Sequence, residues 1–266
     1  LFDPFGGGRD LKHGVLRHVS EAFAEDPVRI LRVARFAARL RFAIAEETLA
    51  LMRHIVDTGE ADHLVAERVW QEFARGLEEV HPGEMLLVLE RCGALAKLLP
   101  ELAPALEGDA RAGVLGALER AVRSSARLPV RFALLAWPLG AGAMPRIDVL
   151  CERLRAPTQV RDLALLALRM QAQLRAAPDS PSAALLALLK QSDALRRAGR
   201  FAELLAAFRL AEPGAGSANA AQRLVRALDA ASSIDAGAIA RAAVVAAEIP
   251  VRIDAARLAA VRAALG

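Results

Sequence analysis

The sequence has no tyrosine, two cysteines and two tryptophans, and aromatic residues make up only 4% of its 266 positions. Clusters of β-branched residues are few and no stretch alternates apolar with polar for long. Both features argue against a sheet protein and for an all-α one. Cys92 and Cys151 stand far apart and in no C-x-x-C pattern. That spacing excludes a disulfide framework and a thiolate metal site, and it fits a reduced, cytoplasmic setting. The longest apolar run, Phe132 to Pro145, is too short for a bilayer and is broken by Pro138, Gly140 and Gly142, so no membrane partner is expected. Leu1 does not look like a natural start, and no signal-peptide charge pattern is expected behind it. The five histidines (His13, His18, His54, His63 and His81) have no metal-ligand spacing, and no Ser-His-Asp arrangement can be assembled. Gly7-Gly8-Arg9-Asp10 lacks the lysine and hydroxyl residue of a phosphate-cradling loop. No repeat of fixed period is present.

What is there is an apolar, basic chain. Hydrophobic residues make up 55% and charged residues 25%, the balance of a folded protein rather than a disordered one. The net charge is +4, and through Arg41 eight bases stand against five acids, a bias that permits a nucleic-acid partner. Apolar residues at helical spacing predict helices over about 27–40, 45–56, 66–79, 83–99, 112–125, 130–136, 146–154, 159–173, 182–190, 194–208, 220–230, 236–247 and 253–264. Leu1 to Gly14 reads as a loop with Gly6, Gly7 and Gly8 as free joints, and Pro213 to Ser217 as the clearest linker.

The stretch that organises the chain is Glu25-Asp26-Pro27-Val28-Arg29. Pro27 suits a first helical position, which makes Asp26 the expected N-cap. Asp26 and Arg29 are then about 60° apart around the helix and about 4.5 Å along it. A carboxylate beside a guanidinium offers an acceptor next to a donor. Adenine and cytosine both present an exocyclic amine beside a bare ring nitrogen, whereas guanine and uracil present the opposite order. One such pair can therefore accept A and C and refuse G and U, with about 1–3 kcal/mol of discrimination per good bidentate match. The same spacing also describes a helix cap with a solvent-facing i,i+3 ion pair worth well under about 1 kcal/mol.

Longer motifs surround this stretch. Leu16-Arg17-His18-Val19-Ser20, Glu25-Asp26-Pro27-Val28-Arg29 and Arg32-Val33-Ala34-Arg35-Phe36 closely resemble the neck of bacterial CCA-adding tRNA nucleotidyltransferases of class II. Asp3-Pro4-Phe5-Gly6-Gly7 with Asp10-Leu11 resembles that family's hinge, and Glu67-Arg68-Val69-Trp70-Gln71-Glu72 its last neck motif. The likeness is dense from Leu1 to about Pro104. It implies an all-α, multi-helical protein with a hinge segment (1–22), a base-selecting neck (23–82), a body (83–128), a helical region like a degenerate HD-type domain (129–212) and a helical tail (213–266).

By the same resemblance the whole enzyme adds CCA to tRNA 3′ ends from CTP and ATP. The tRNA hydroxyl attacks an α-phosphate while Mg2+ on head carboxylates assists, and this chain lacks that head. Asp26, Arg29, Arg32 and Glu25 would then bind the nucleotide. Asp3, Gly6, Gly7 and Asp10 would form the hinge, and Arg35, Glu67, Arg68 and Glu72 would support the neck, with no catalytic or metal residue in the chain. Expected partners are tRNA and nucleoside triphosphates; the oligomeric state stays open. Phe132 to Gly140 resembles the segment that carries an adjacent His-Asp pair in metal-dependent hydrolase domains, but Trp137 and Pro138 hold those places, and neither can ligate a metal. A bacterial poly(A) polymerase fragment and a non-enzymatic helical RNA-binding module are the alternatives.

Overall fold

The structure, a computed structural model, describes residues 3–266, the side chains of residues 62 and 63 excepted. The first two residues of the expected hinge, Leu1 and Phe2, lie outside the described residues. The chain is all-α, and it divides into two compact units, Leu1–Leu168 and Arg169–Gly266.

In the first unit, α1 (Gly7–His13) leads into a two-residue strand, β1 (Val15–Leu16), and a 3₁₀ turn, Glu21–Glu25. Then come α2 (Val28–Leu40), β2 (Ala43–Ile44), α3 (Glu46–Asp57) and α4 (Ala66–Glu78). The unit continues with α5 (Pro82–Arg91), α6 (Ala94–Leu98), α7 (Gly108–Arg123), α8 (Leu128–Ala136) and α9 (Met144–Arg153). The division between the units falls within α10 (Thr158–Ala176). The second unit holds α11 (Ser182–Gln191), α12 (Ala198–Ala211), α13 (Ala215–Ser232), α14 (Ala236–Ala242) and α15 (Ile249–Leu265).

The core of the first unit follows the apolar spacing. Val28, Leu31, Ala34 and Ala38 of α2 are buried against α4 and α5, joined by Val69, Phe73 and Leu77 of α4. Helices α4 and α5 approach so closely that a methyl group at Gly76 would run into the sulphur of Met85, itself fully buried. Arg131 of α8 is 7% exposed and donates to the carbonyls of Leu77 (2.7 Å) and Glu79 (3.1 Å). It thereby satisfies acceptors that the end of α4 leaves open. In the second unit α13 packs on α11, α12 and α15 around Leu189, Phe201, Leu204, Phe208, Leu224 and Val261.

Four expectations from the sequence need correction. Gly7 and Gly8 are not free joints but the first turn of α1. The helix expected over 83–99 breaks at Gly93, whose φ of 77° only glycine adopts without strain. The linker expected over 213–217 shrinks to Glu212–Gly214, because Ala215, Gly216 and Ser217 open α13 and Gly214 alone makes the turn. The helix expected over 236–247 ends at Ala242, where Ala243 turns extended (ψ 128°) ahead of Val244 and Val245, and α15 begins at Ile249. The strands β1 and β2 also went unread. They pair in parallel, Val15 with Ala43 and Leu16 with Ile44.

Candidate functional site

The front of the chain is tied down before the neck begins. The carboxylate of Asp3 accepts the amides of Gly7 and Gly8, both at 2.8 Å, and so caps α1 while Gly6 (φ 71°) makes the turn. Those bonds favour the charged carboxylate and hold Asp3 below the usual carboxylate range. Asp10, buried at the far side of α1, accepts from Arg17 Nε at 2.7 Å, and Arg17 also pairs with Glu47 of α3. Arg17 holds Asp10 below its ordinary value, against the opposing effect of desolvation. The β1–β2 pair brings His18 to α3, where its amide and ring Nδ1 lie 3.0 and 2.8 Å from the Oγ1 of buried Thr48.

Asp26 follows the 3₁₀ turn in an extended conformation (φ −134°, ψ 97°). Helix α2 starts at Val28 rather than Pro27, so Pro27 takes the N-cap position expected for Asp26, while Asp26 Oδ1, one residue earlier, still accepts the Val28 amide at 3.2 Å. Its other oxygen accepts from Arg68 Nη2 of α4 at 2.7 Å. Arg29 does not close on Asp26; it donates to the carbonyl of Ala22 in the 3₁₀ turn. Asp26 sits below the usual carboxylate range, chiefly through the Arg68 hydrogen bond, then the Val28 amide and the nearby charges of Arg68 and Arg29. A simple i,i+3 ion pair is therefore not what these two residues form.

Arg29 lines a cavity of about 320 Å³ with Arg17, Leu16, Phe23, Val33 and Phe36, a largely apolar recess with two arginines at its wall. Asp26 stands outside that lining. Arg32 and Glu25 are exposed and, among the described residues, make no hydrogen bond or ion pair.

Arg35 and Glu72 meet below, Nε to Oε2 at 2.7 Å, with side chains only 13% and 8% exposed. Glu79 (3.7 Å from Arg35) and Arg75 (3.6 Å from Glu72) extend the cluster. Glu67 pairs with Arg155, a residue no sequence motif marks. The site thus brings together Asp26 with Arg68 and Arg35 with Glu72, and sends Arg29, Glu67 and Asp10 to other partners.

Neither thiol offers a nucleophile: burial raises Cys92 and pushes Cys151 up to about 12. Trp137 is buried in the core and Pro138 lies exposed at the end of α8. Among the described residues no three His, Cys, Asp or Glu side chains gather as a metal ion would need, and no helix is long and apolar enough to cross a membrane.

Comparison with known proteins decides the family. The chain is 49% identical to the multifunctional CCA protein of Azoarcus sp. over 99% of its own length and 72% of the relative's. It belongs to the multifunctional CCA proteins. A second member, from Laribacter hongkongensis, is 45% identical over 99% of this chain and 73% of that one. Residues 41–106 match the family described as "Probable RNA and SrmB-binding site of polymerase A". The fold of the multifunctional CCA chain is that of a CCA-adding enzyme solved with ATP and with CTP (TM-score 0.72, 18% identity, covering 97% of this chain and 61% of that one). It is likewise that of the Thermotoga maritima CCA-adding enzyme complexed with tRNA (TM-score 0.70, 19% identity, 99% and 67%). The chain therefore spans about three-fifths to three-quarters of the proteins it matches.

Proposed function

We propose that this chain is the base-selecting and RNA-binding portion of a cytoplasmic enzyme that adds C and A to tRNA 3′ ends from CTP and ATP. One observation carries the reading: Asp26 and Arg29 stand three residues apart across the start of α2, and each is hydrogen-bonded to a different third group rather than to the other. Both keep hydrogen-bonding capacity. The carboxylate can accept the exocyclic amine of C or A, and the guanidinium can donate to the adjacent ring nitrogen. Uracil and guanine would set donor against donor at one position and acceptor against acceptor at the other. Arg32 and Glu25, exposed and unengaged among the described residues, are placed to meet the rest of the nucleotide. We carry forward the five-part organisation (1–22, 23–82, 83–128, 129–212 and 213–266) as the functional division, with Asp3, Gly6, Gly7 and Asp10 as hinge and Arg35, Glu67, Arg68 and Glu72 as neck support.

The residues present do not fit Mg2+, because Asp10, Asp26 and Glu72 are each engaged by a guanidinium. We place the catalytic carboxylates in the part of the relatives that this chain does not span. Residues 1–266 alone are then expected to incorporate no labelled CTP or ATP into tRNA; incorporation above background would overturn that placement.

The test of base selection uses the full-length protein and a tRNA lacking its terminal CCA. Asp26→Ala and Arg29→Ala should each lower catalytic efficiency about ten- to a hundredfold, as leaving a polar partner unsatisfied does. The preference for C over U should fall with it, and tRNA affinity should change little. The family match over residues 41–106 supports a second reading, a polymerase that adds A alone; efficient CTP incorporation would exclude it.

A further inference from the structure

We infer that Arg68 is a positioning residue for base selection, acting by keeping the Asp26 carboxylate away from Arg29. The inference rests on the proposed base-reading role of Asp26 and Arg29 and extends it to a residue in another helix, 42 positions along the chain.

Asp26 lies two residues ahead of α2 and Arg29 in its first turn, and the opposite charges are near enough to attract each other. Closed on each other, they would spend on an internal pair the donor and acceptor that a base needs. In this structure the attraction is diverted at both ends. Arg68 Nη2, reaching over from α4, takes Asp26 Oδ2 at 2.7 Å, the Val28 amide takes Oδ1 at 3.2 Å, and the Ala22 carbonyl takes Arg29 Nη1. An ionised carboxylate has about four lone-pair sites and a guanidinium five N–H donors, so two bonds to the first and one to the second leave both able to bind a ligand. Asp26 keeps 31% of its side chain exposed, so its unused lone pairs are reachable. Among the described residues, Arg68 is the one side chain that hydrogen-bonds the carboxylate, and it brings a charge able to outbid Arg29. Removing it leaves Arg29 as the nearest cation, and the carboxylate swings toward it.

The test compares Arg68→Ala, Arg68→Lys, Asp26→Ala and the double variant Arg68→Ala/Asp26→Ala in the full-length protein. Each is read as the ratio of C to U incorporation into tRNA, with melting curves alongside. Arg68→Ala should lower the ratio about tenfold, on the scale of one lost charge-assisted hydrogen bond. Arg68→Lys, which keeps the charge, should restore most of it. In the Asp26→Ala background the loss of Arg68 should cost nothing more, because it acts only through that carboxylate. Should Arg68→Ala fail to fold, Arg68→Gln carries the same expectation. An unchanged ratio in Arg68→Ala beside a lowered one in Asp26→Ala would overturn the inference and leave the base-reading proposal standing. An unchanged ratio in both would overturn the proposal itself. A uniform slowing of all four nucleotides with a lower melting temperature would reduce Arg68 to scaffold.

Discussion

Arginine is the commonest charged tool in both compact units, and the two units use it differently. In residues 1–168 it reaches across the fold to carboxylates: Arg17 to Asp10, Arg35 to Glu72, Arg68 to Asp26, Arg153 to Glu101. Several of these pairs are half-buried or better. In residues 169–266 the best-placed arginine, Arg223, donates to the backbone carbonyls of Ala177 and Ser180 and closes the turn after α10. The ion pairs of that unit, such as Lys190–Asp254 (47% and 41% exposed) and Arg252–Glu248, sit in solvent. A side-chain pair withdrawn from water fixes two functional groups at once; a carbonyl cap fixes only the chain. Both units cap chain ends with arginine, as Arg131 does at the end of α4, but the withdrawn arginine–carboxylate pairs such as Arg35–Glu72 belong to the first unit.

The largest effect that would test this contrast is the loss of one partner from Arg35–Glu72. Arg35→Ala leaves Glu72 buried against Arg75 alone, and the cost should be about 3 kcal/mol, since an uncompensated buried charge is expensive. Hydrogen exchange in α2 and α4 would report it; protection unchanged in both helices would break the comparison.

Gly76→Ala comes next. The added methyl must push Met85 aside in a packed core, at about 1–3 kcal/mol, read as a fall in melting temperature of the first unit. Wild-type stability in that variant would mean the α4–α5 seam is looser than the structure has it.

Acid should act selectively on the front of the chain. Asp3, Asp10 and Asp26 are all held below the ordinary carboxylate range. The folded state thus binds these protons less readily than the unfolded chain. Their contribution to stability is whole above the unfolded carboxylate value and is lost as pH falls through the depressed folded values. Protection of the Gly7, Gly8 and Val28 amides, measured against the exchange rate of an unfolded chain at the same pH, should fall as those carboxylates protonate. Amides that stay equally protected below that range would count against the capping bonds.

The smallest effect belongs to the solvent pairs. Lys190→Ala should shift stability by less than about 0.5 kcal/mol, as exposed pairs do. A loss near that of Arg35→Ala would erase the distinction between the units.

Much of the fold was readable because helical periodicity is a local signal. The inward face of α4 (Val69, Phe73, Leu77) and the bounds of α3 and α11 follow from spacing alone. What escaped was either too short or too distant. Two-residue strands leave no alternation to see, so the β1–β2 pair had no signature. Gly93 breaks a helix that its leucine-rich flanks would continue, and Gly216 sits in a helix that its neighbours Pro213 and Gly214 would interrupt. At the candidate site the spacing of Asp26 and Arg29 was legible, but not that they decline each other. Arg68 and Ala22 draw them apart, and only the tertiary fold brings Arg68, 42 residues away, to Asp26. The pairing of Glu67 with Arg155 is equally a product of packing.

The central claim is that Asp26 reads a base and does not merely cap α2, and Asp26→Asn separates the two most cleanly. Asparagine caps a helix about as well as aspartate, so the Val28 bond should survive, and loss of the partly exposed charge pair with Arg68 should lower stability by no more than about 1 kcal/mol. Its amide, however, can present a donor where the carboxylate offers only acceptors. The measurement is the ratio of C to U incorporation into tRNA by the full-length protein, wild type against Asp26→Asn. The account predicts a ratio lowered by about tenfold or more with only that small loss of stability. A wild-type ratio with the same small loss would contradict it.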